Sequence, residues 1–178
     1  LLNIIAGTLS VGVTPSTNSY ESIATVTVGS GGSATVTFSS IPATFTHLQL
    51  RIMLPTSGDE PILRFNSDSG SNYSRHGLFG NGSSAAAYGV ASDTYDGLSA
   101  GSSQPNVIIT DILDYANTNK YKTTRTLAGF DQNGSGTIAL RSANWRNTNA
   151  ITTITLTESN ASNFPQYSSF ALYGIEGV

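Results

Sequence analysis

His47-Leu48-Gln49-Leu50-Arg51-Ile52-Met53-Leu54 alternates apolar and polar-side positions without a break. In an extended chain Leu48, Leu50, Ile52 and Leu54 point one way, and His47, Gln49, Arg51 and Met53 the other. Eight residues with a period of two read as a strand with one buried face and one wet face, the signature of antiparallel sheets. The segments on either side repeat the theme. Ile23–Val28 reads as a strand. Gly29-Ser30-Gly31-Gly32 reads as a glycine turn that returns the chain through Ala34, Val36 and Phe38 as a hairpin. Ile62–Asn66 and Tyr73–Phe79 read as strands separated by Asp68-Ser69-Gly70-Ser71-Asn72.

The second half continues in the same way. Val107–Tyr115, Thr123–Phe130, Thr137–Trp145, Ile151–Thr157 and Ser168–Ile175 are strand candidates, with an Asn133-Gly134 hairpin between the second and third of them. Between the halves, Asn81–Gly101 is rich in Gly, Ser and Ala and reads as a long loop, which at that length is usually functional. Its Tyr88 and Tyr95 are the candidate exposed contact residues. No period of 3.6 persists for ten residues. Eight or nine strands at these spacings predict an all-β, two-sheet antiparallel β-sandwich, jelly-roll-like, over residues 20–178. Its core is predicted to bury Ala34, Val36, Phe38, Leu48, Leu50, Ile52, Leu63, Phe65, Ile138, Leu140, Ile154 and Leu156.

Residues 1–19 stand apart. Leu1–Val13 is apolar and strand-like, and Thr14-Pro15-Ser16-Thr17-Asn18-Ser19 follows as a polar hinge. The segment reads either as a first strand or as an N-terminal extended arm that adds to a neighbour's sheet. In the second reading Leu2, Ile4, Leu9, Val11 and Val13 fill the neighbour's pockets. Its start is too short and too interrupted to cross a membrane.

Composition narrows the function classes. Only 11% of the 178 residues are charged, against about 25% in ordinary domains. The eight Lys and Arg are scattered and the net charge is −3, so no nucleic-acid footprint exists. No cysteine is present, which removes disulfides and thiolate metal sites. His76 with Asp68 and nearby serines could be drawn as a triad, but no Gly-x-Ser-x-Gly elbow supports it. Asp111 and Asp114 cannot share one strand face. The loop acids Asp59, Glu60, Asp68, Asp93 and Asp96 lack the spacing of a calcium loop. No catalytic residue, cofactor or metal is assigned.

Several phrases carry a resemblance. They are Tyr20-Glu21-Ser22-Ile23-Ala24, Phe38-Ser39-Ser40-Ile41-Pro42, Thr46-His47-Leu48-Gln49-Leu50-Arg51, the run from Phe65 to Ser74, Asp111-Ile112-Leu113-Asp114-Tyr115, Trp145-Arg146-Asn147-Thr148 and Phe170-Ala171-Leu172-Tyr173-Gly174-Ile175. In that order they resemble a family of small tailed-bacteriophage virion proteins, frequent in phages of aquatic bacteria including cyanobacteria. The resemblance implies a jelly-roll-like subunit on the virion exterior, with no catalytic motif. The expected role is that of a capsid decoration (cement) protein. Its partners would be further copies of itself as a homotrimer, and the major capsid protein or other virion proteins. The alternative is a host-recognition module of a tail fibre, spike or head fibre that binds cell-surface glycan.

Overall fold

The computed structural model describes residues 19–176. Leu2, Ile4, Leu9, Val11 and Val13 lie outside the described residues. Twelve strands follow in order: β1 (Tyr20–Thr27), β2 (Val36–Phe38), β3 (His47–Leu54), β4 (Pro61–Phe65), β5 (Tyr73–Gly80), β6 (Ala85–Asp93), β7 (Asp96–Gly97), β8 (Asn106–Leu113), β9 (Lys122–Gln132), β10 (Ser135–Trp145), β11 (Ile154–Glu158) and β12 (Ser169–Ile175). They form an eight-stranded sheet, β1-β12-β3-β8-β9-β10-β5-β6, and a four-stranded sheet, β2-β11-β4-β7. All named pairs are antiparallel.

Setting aside the hairpins β5–β6 and β9–β10 leaves eight strands. Numbered afresh along the chain, they order first-eighth-third-sixth in one sheet and second-seventh-fourth-fifth in the other. This is the eight-stranded double-sheet jelly roll. The two hairpins are insertions. They pair with each other through β10 and β5 and double the width of the first sheet.

The apolar core lies between the jelly-roll sheets. Leu48, Leu50, Ile52 and Leu54 from β3 meet Leu63, Phe65, Ile154 and Leu156 from the smaller sheet, all essentially without exposure. Phe164 and Phe170 close one end edge-to-face, with ring centroids 4.8 Å apart. Trp145 stands 5.5 Å from Phe65 and 6.4 Å from Tyr73, and so joins the inserted hairpins to β4. Its indole N–H donates to Asp68 Oδ2 at 2.7 Å. Lys122 is fully buried, and its ammonium donates to the carbonyls of Asn117, Lys120 and Thr148, which ties two loops together. Burial pulls its pKa down.

Four expectations are corrected. Gly29–Gly32 does not make a hairpin, because β1 pairs with β12 and β2 with β11. The positive φ of Gly31 and Gly32 instead turns the chain from one sheet to the other, and Ala34 is exposed on that crossing. Asn81–Gly101 is not a long loop. It holds β6 and β7, and β6 is exposed along much of both faces at the sheet edge, so it needs no alternation. Ile138 and Leu140 are 63% and 53% exposed. The alternation of β10 was legible, but Ala139, Arg141, Ala143 and Trp145 are its inward side. Twelve strands replace the eight or nine expected, and the two that the reading passed over, the Ala-rich β6 and the two-residue β7, carry weak strand signals.

Trp145→Ala should lower unfolding free energy by about 3–5 kcal/mol, the usual cost of emptying an aromatic core site. Lys122→Met should cost roughly 2–4 kcal/mol, because three loop carbonyls lose their donor. Urea unfolding followed by tryptophan fluorescence measures the second variant, and circular dichroism the first. Loss of less than about 1 kcal/mol in either would contradict these contacts.

Candidate functional site

Two features stand out once the sheets are assembled, an ionic cluster inside and an apolar face outside. The cluster begins with strand parity. Arg75 sits two residues from buried Tyr73, and Arg141 four residues from buried Trp145, so both point inward. There the smaller sheet offers no apolar row, only Glu60 and the two-residue β7. Arg75 Nη1 meets Asp93 Oδ2 at 2.7 Å, and Nη2 lies 3.7 Å from Glu60 Oε2. Arg141 pairs with Glu60 Oε1 and donates to the Gly97 carbonyl at 2.8 Å. Arg64 donates to the Thr94 carbonyl at 3.0 Å.

Tyr88 and Tyr95, expected on an exposed loop, are half-buried parts of this cluster. The Tyr88 ring lies over Gly77, where a Cβ would come within 2.3 Å of it, and Arg141 sits 5.6 Å from its centroid. Tyr95 is flanked by Arg75 at 5.0 Å and Arg64 at 5.7 Å. Asp96 is buried and accepts from Thr124 Oγ1 at 2.7 Å. Burial raises its pKa to about 6 despite that bond and both arginines.

The cluster is a fastener. It attaches the inserted hairpins, through Arg75, Arg141 and Thr124, to the loop and strand that edge the smaller sheet. The other acids are also engaged. Asp68 accepts from Trp145, Asn72 and the Gly70 amide, and these bonds outweigh burial and hold its pKa down. Glu158 accepts from Ser57 Oγ and the Asp59 amide. His76 is exposed on the opposite side of β5 from Tyr73, so it forms no triad with Asp68. His47 Nδ1 accepts from the Asp114 amide at 3.0 Å, and Asp111 accepts from Gln49. Among the described residues, no three His, Cys, Asp or Glu side chains converge as metal ligands.

The second feature is the outer face of the eight-stranded sheet. In-register pairing lines up one cross-strand row as Met53, Val107, Gly129, Ile138, Gly80, Ala85. The next row is Arg51, Ile109, Leu127, Leu140, Leu78, Ala87. Of the ten large hydrophobic side chains exposed among the described residues, six lie in these two rows. The other four are scattered aromatics, which need no special account. A contiguous aliphatic patch of this kind marks an interaction surface. Sequence reading missed it because the larger aliphatics of β10 were placed in the core. Trp145, four residues from Arg141, was the signal that could have set the phase. No protein-family model, curated protein or solved structure matches the chain.

The raised Asp96 pKa has a definite sign. The folded state keeps this proton until about pH 6, whereas the unfolded chain releases it near 3.9. Its contribution to stability is therefore present at low pH and lost as pH rises through about 6, a change on the order of 3 kcal/mol. Asp96→Asn keeps an acceptor for Thr124 and removes the titration. Its melting temperature should match wild type near pH 4 and exceed it at pH 7. Equal melting temperatures at both pH values would remove Asp96 as the source.

Proposed function

We propose that this protein is a structural subunit of a virion exterior, a capsid decoration (cement) protein that stabilises a phage head by contact. The observation that carries this reading is the aliphatic face of the larger sheet, exposed among the described residues. The molecule offers a broad contact surface where an enzyme would offer a cleft lined by reactive groups. The jelly-roll framework and the charge-poor, Ser- and Thr-rich sequence support the same reading. They suit a subunit packed against neighbours, and repeated weak contacts on one shell act together. The resemblance of the sequence phrases to phage virion proteins points the same way. The host-recognition alternative drew on Tyr88 and Tyr95, and both are turned in against arginines.

The test is the position of the protein in purified virions, from copy number and from density in a reconstruction. Copies arrayed over the head are expected. A few copies confined to the tail would overturn the cement role in favour of host recognition, and absence from particles would overturn both. Removing residues 1–17 should leave the melting temperature of the sandwich unchanged, since its core lies after Tyr20, and should lower occupancy on the shell. A truncated chain that fails to fold would make that segment an integral strand.

A further inference from the structure

We propose that two copies of this chain pair through the outer faces of their eight-stranded sheets, about a two-fold axis parallel to the strands and between β9 and β10. The two cross-strand rows carry the argument. A two-fold axis in that position sets β9 against β10, β8 against β5, and β3 against β6 of the second copy. Each row then meets itself in reverse. In the first row Ile138 faces Gly129, Val107 faces Gly80, and Met53 faces Ala85, a large residue against a small one each time. In the second row Leu127 faces Leu140, and Ile109 faces Leu78.

The relief of the face fits this pairing. Ile138 and Leu140 stand as a ridge: Ile138 separates two grooves of about 520 and 510 Å³, and Leu140 lines the second. The notch at Gly129 is fixed, because a Cβ there would come within 2.8 Å of the Thr137 carbonyl. Charge agrees as well. The row beyond the aliphatic ones runs Gln49, Asp111, Arg125, Ser142, His76, Gly89. Reversal sets Asp111 against His76 and Arg125 against Ser142, and the two Arg125 side chains that lie diagonally across the axis each have Asp111 beside them in their own sheet. Six strands at about 4.8 Å and eight residues at about 3.3 Å give a face of roughly 750 Å² in projection. Side-chain relief brings this close to the ~800 Å² that a standard interface removes from each partner. Facing sheets pack about 10 Å apart with strands aligned within about 30°, which this axis allows. A three-fold ring would need two different complementary patches on each subunit. The exposed aliphatic side chains among the described residues make one, so the pairing is two-fold rather than the trimer expected from the resemblance and the apolar Leu1–Val13 segment.

Light scattering and sedimentation on the full chain test the pairing. Wild type should be a dimer, and it should persist in about 1 M salt because the contact is apolar. Leu127→Asp or Leu140→Lys alone should weaken association about 30-fold or more, with the melting temperature of the monomer kept, since both side chains are exposed. An equimolar mixture of the two variants should form the mixed dimer, because the axis sets residue 127 of one chain against residue 140 of the other. Ile138→Lys is the substitute if either variant misfolds, and it too should yield monomers. A wild-type monomer at millimolar concentration, dimers that survive both substitutions, or a mixture that stays monomeric would each overturn the proposal. So would a monomer whose patch becomes reactive to an apolar dye only after residues 1–17 are removed, since the chain's own N-terminal segment would then be the occupant. The pairing draws on the same face that carries the virion reading: in a pair the second copy covers that face, and the shell meets the paired unit through its remaining surface. A monomer in solution leaves that reading standing, and absence from virions leaves the pairing standing.

Discussion

One sheet of this protein is twice as wide as the sheet it packs on, and most of its other features answer to that mismatch. Four strands of the larger sheet find an apolar partner across the sandwich. The other four, contributed by the inserted hairpins, extend past it. Apolar side chains on the inner side of this extension would have little to pack against. Arg75, Arg141 and Thr124 stand there instead, met by Glu60, Asp93 and Asp96. Buried charge is costly unless paired and hydrogen-bonded, and here each guanidinium has both a carboxylate and a backbone carbonyl. The Trp145–Phe65 contact adds the apolar component of the same junction.

This arrangement explains why the charge-poor composition misleads in one respect. Few charges suggested an inert surface, yet Arg75, Arg141, Lys122, Asp96 and Glu158 are buried. A share of the scarce charge is therefore spent inside, on joints between hairpins, loops and sheets. The outside keeps Ser, Thr, Asn and the aliphatic rows of the wide sheet. A surface with little charge and one apolar face has little to hold it apart from a complementary surface.

The jelly roll was legible wherever a strand has one buried and one wet face. β3 is the clearest case, and its inward set Leu48, Leu50, Ile52 and Leu54 was read without error. What was hidden follows a pattern. β6 is an edge strand of mostly small residues, so neither size nor alternation marks it. The glycines before β2 signal a turn, but sequence does not say whether the chain stays in its sheet or changes sheets. β10 kept its period and lost its phase. The reading assumed that the largest aliphatics face the core, and that assumption fails in an extension whose inner side is polar. The same error hid both candidate sites, since one is the inner side of β5 and β10 and the other is the outer.

β10 therefore joins the interior to the contact surface. Its odd positions from Ala139 to Trp145 build the junction, and its even positions Ile138 and Leu140 form the ridge outside. A slip of one residue would exchange the two sets. It would push two aliphatic side chains against Glu60 and leave Arg141 in solvent, so fold and contact face fail together. The register is set by the turn between β9 and β10. Asn133 and Gly134 take φ values of 52° and 93°, the doubly positive pair of the tight hairpin whose twist matches its strands. Ile138 and Leu140 add little packing to the isolated sandwich, because they point away from its core. The burial energy of those side chains becomes available only when another surface covers them, and the two residues of the turn decide which side chains those are.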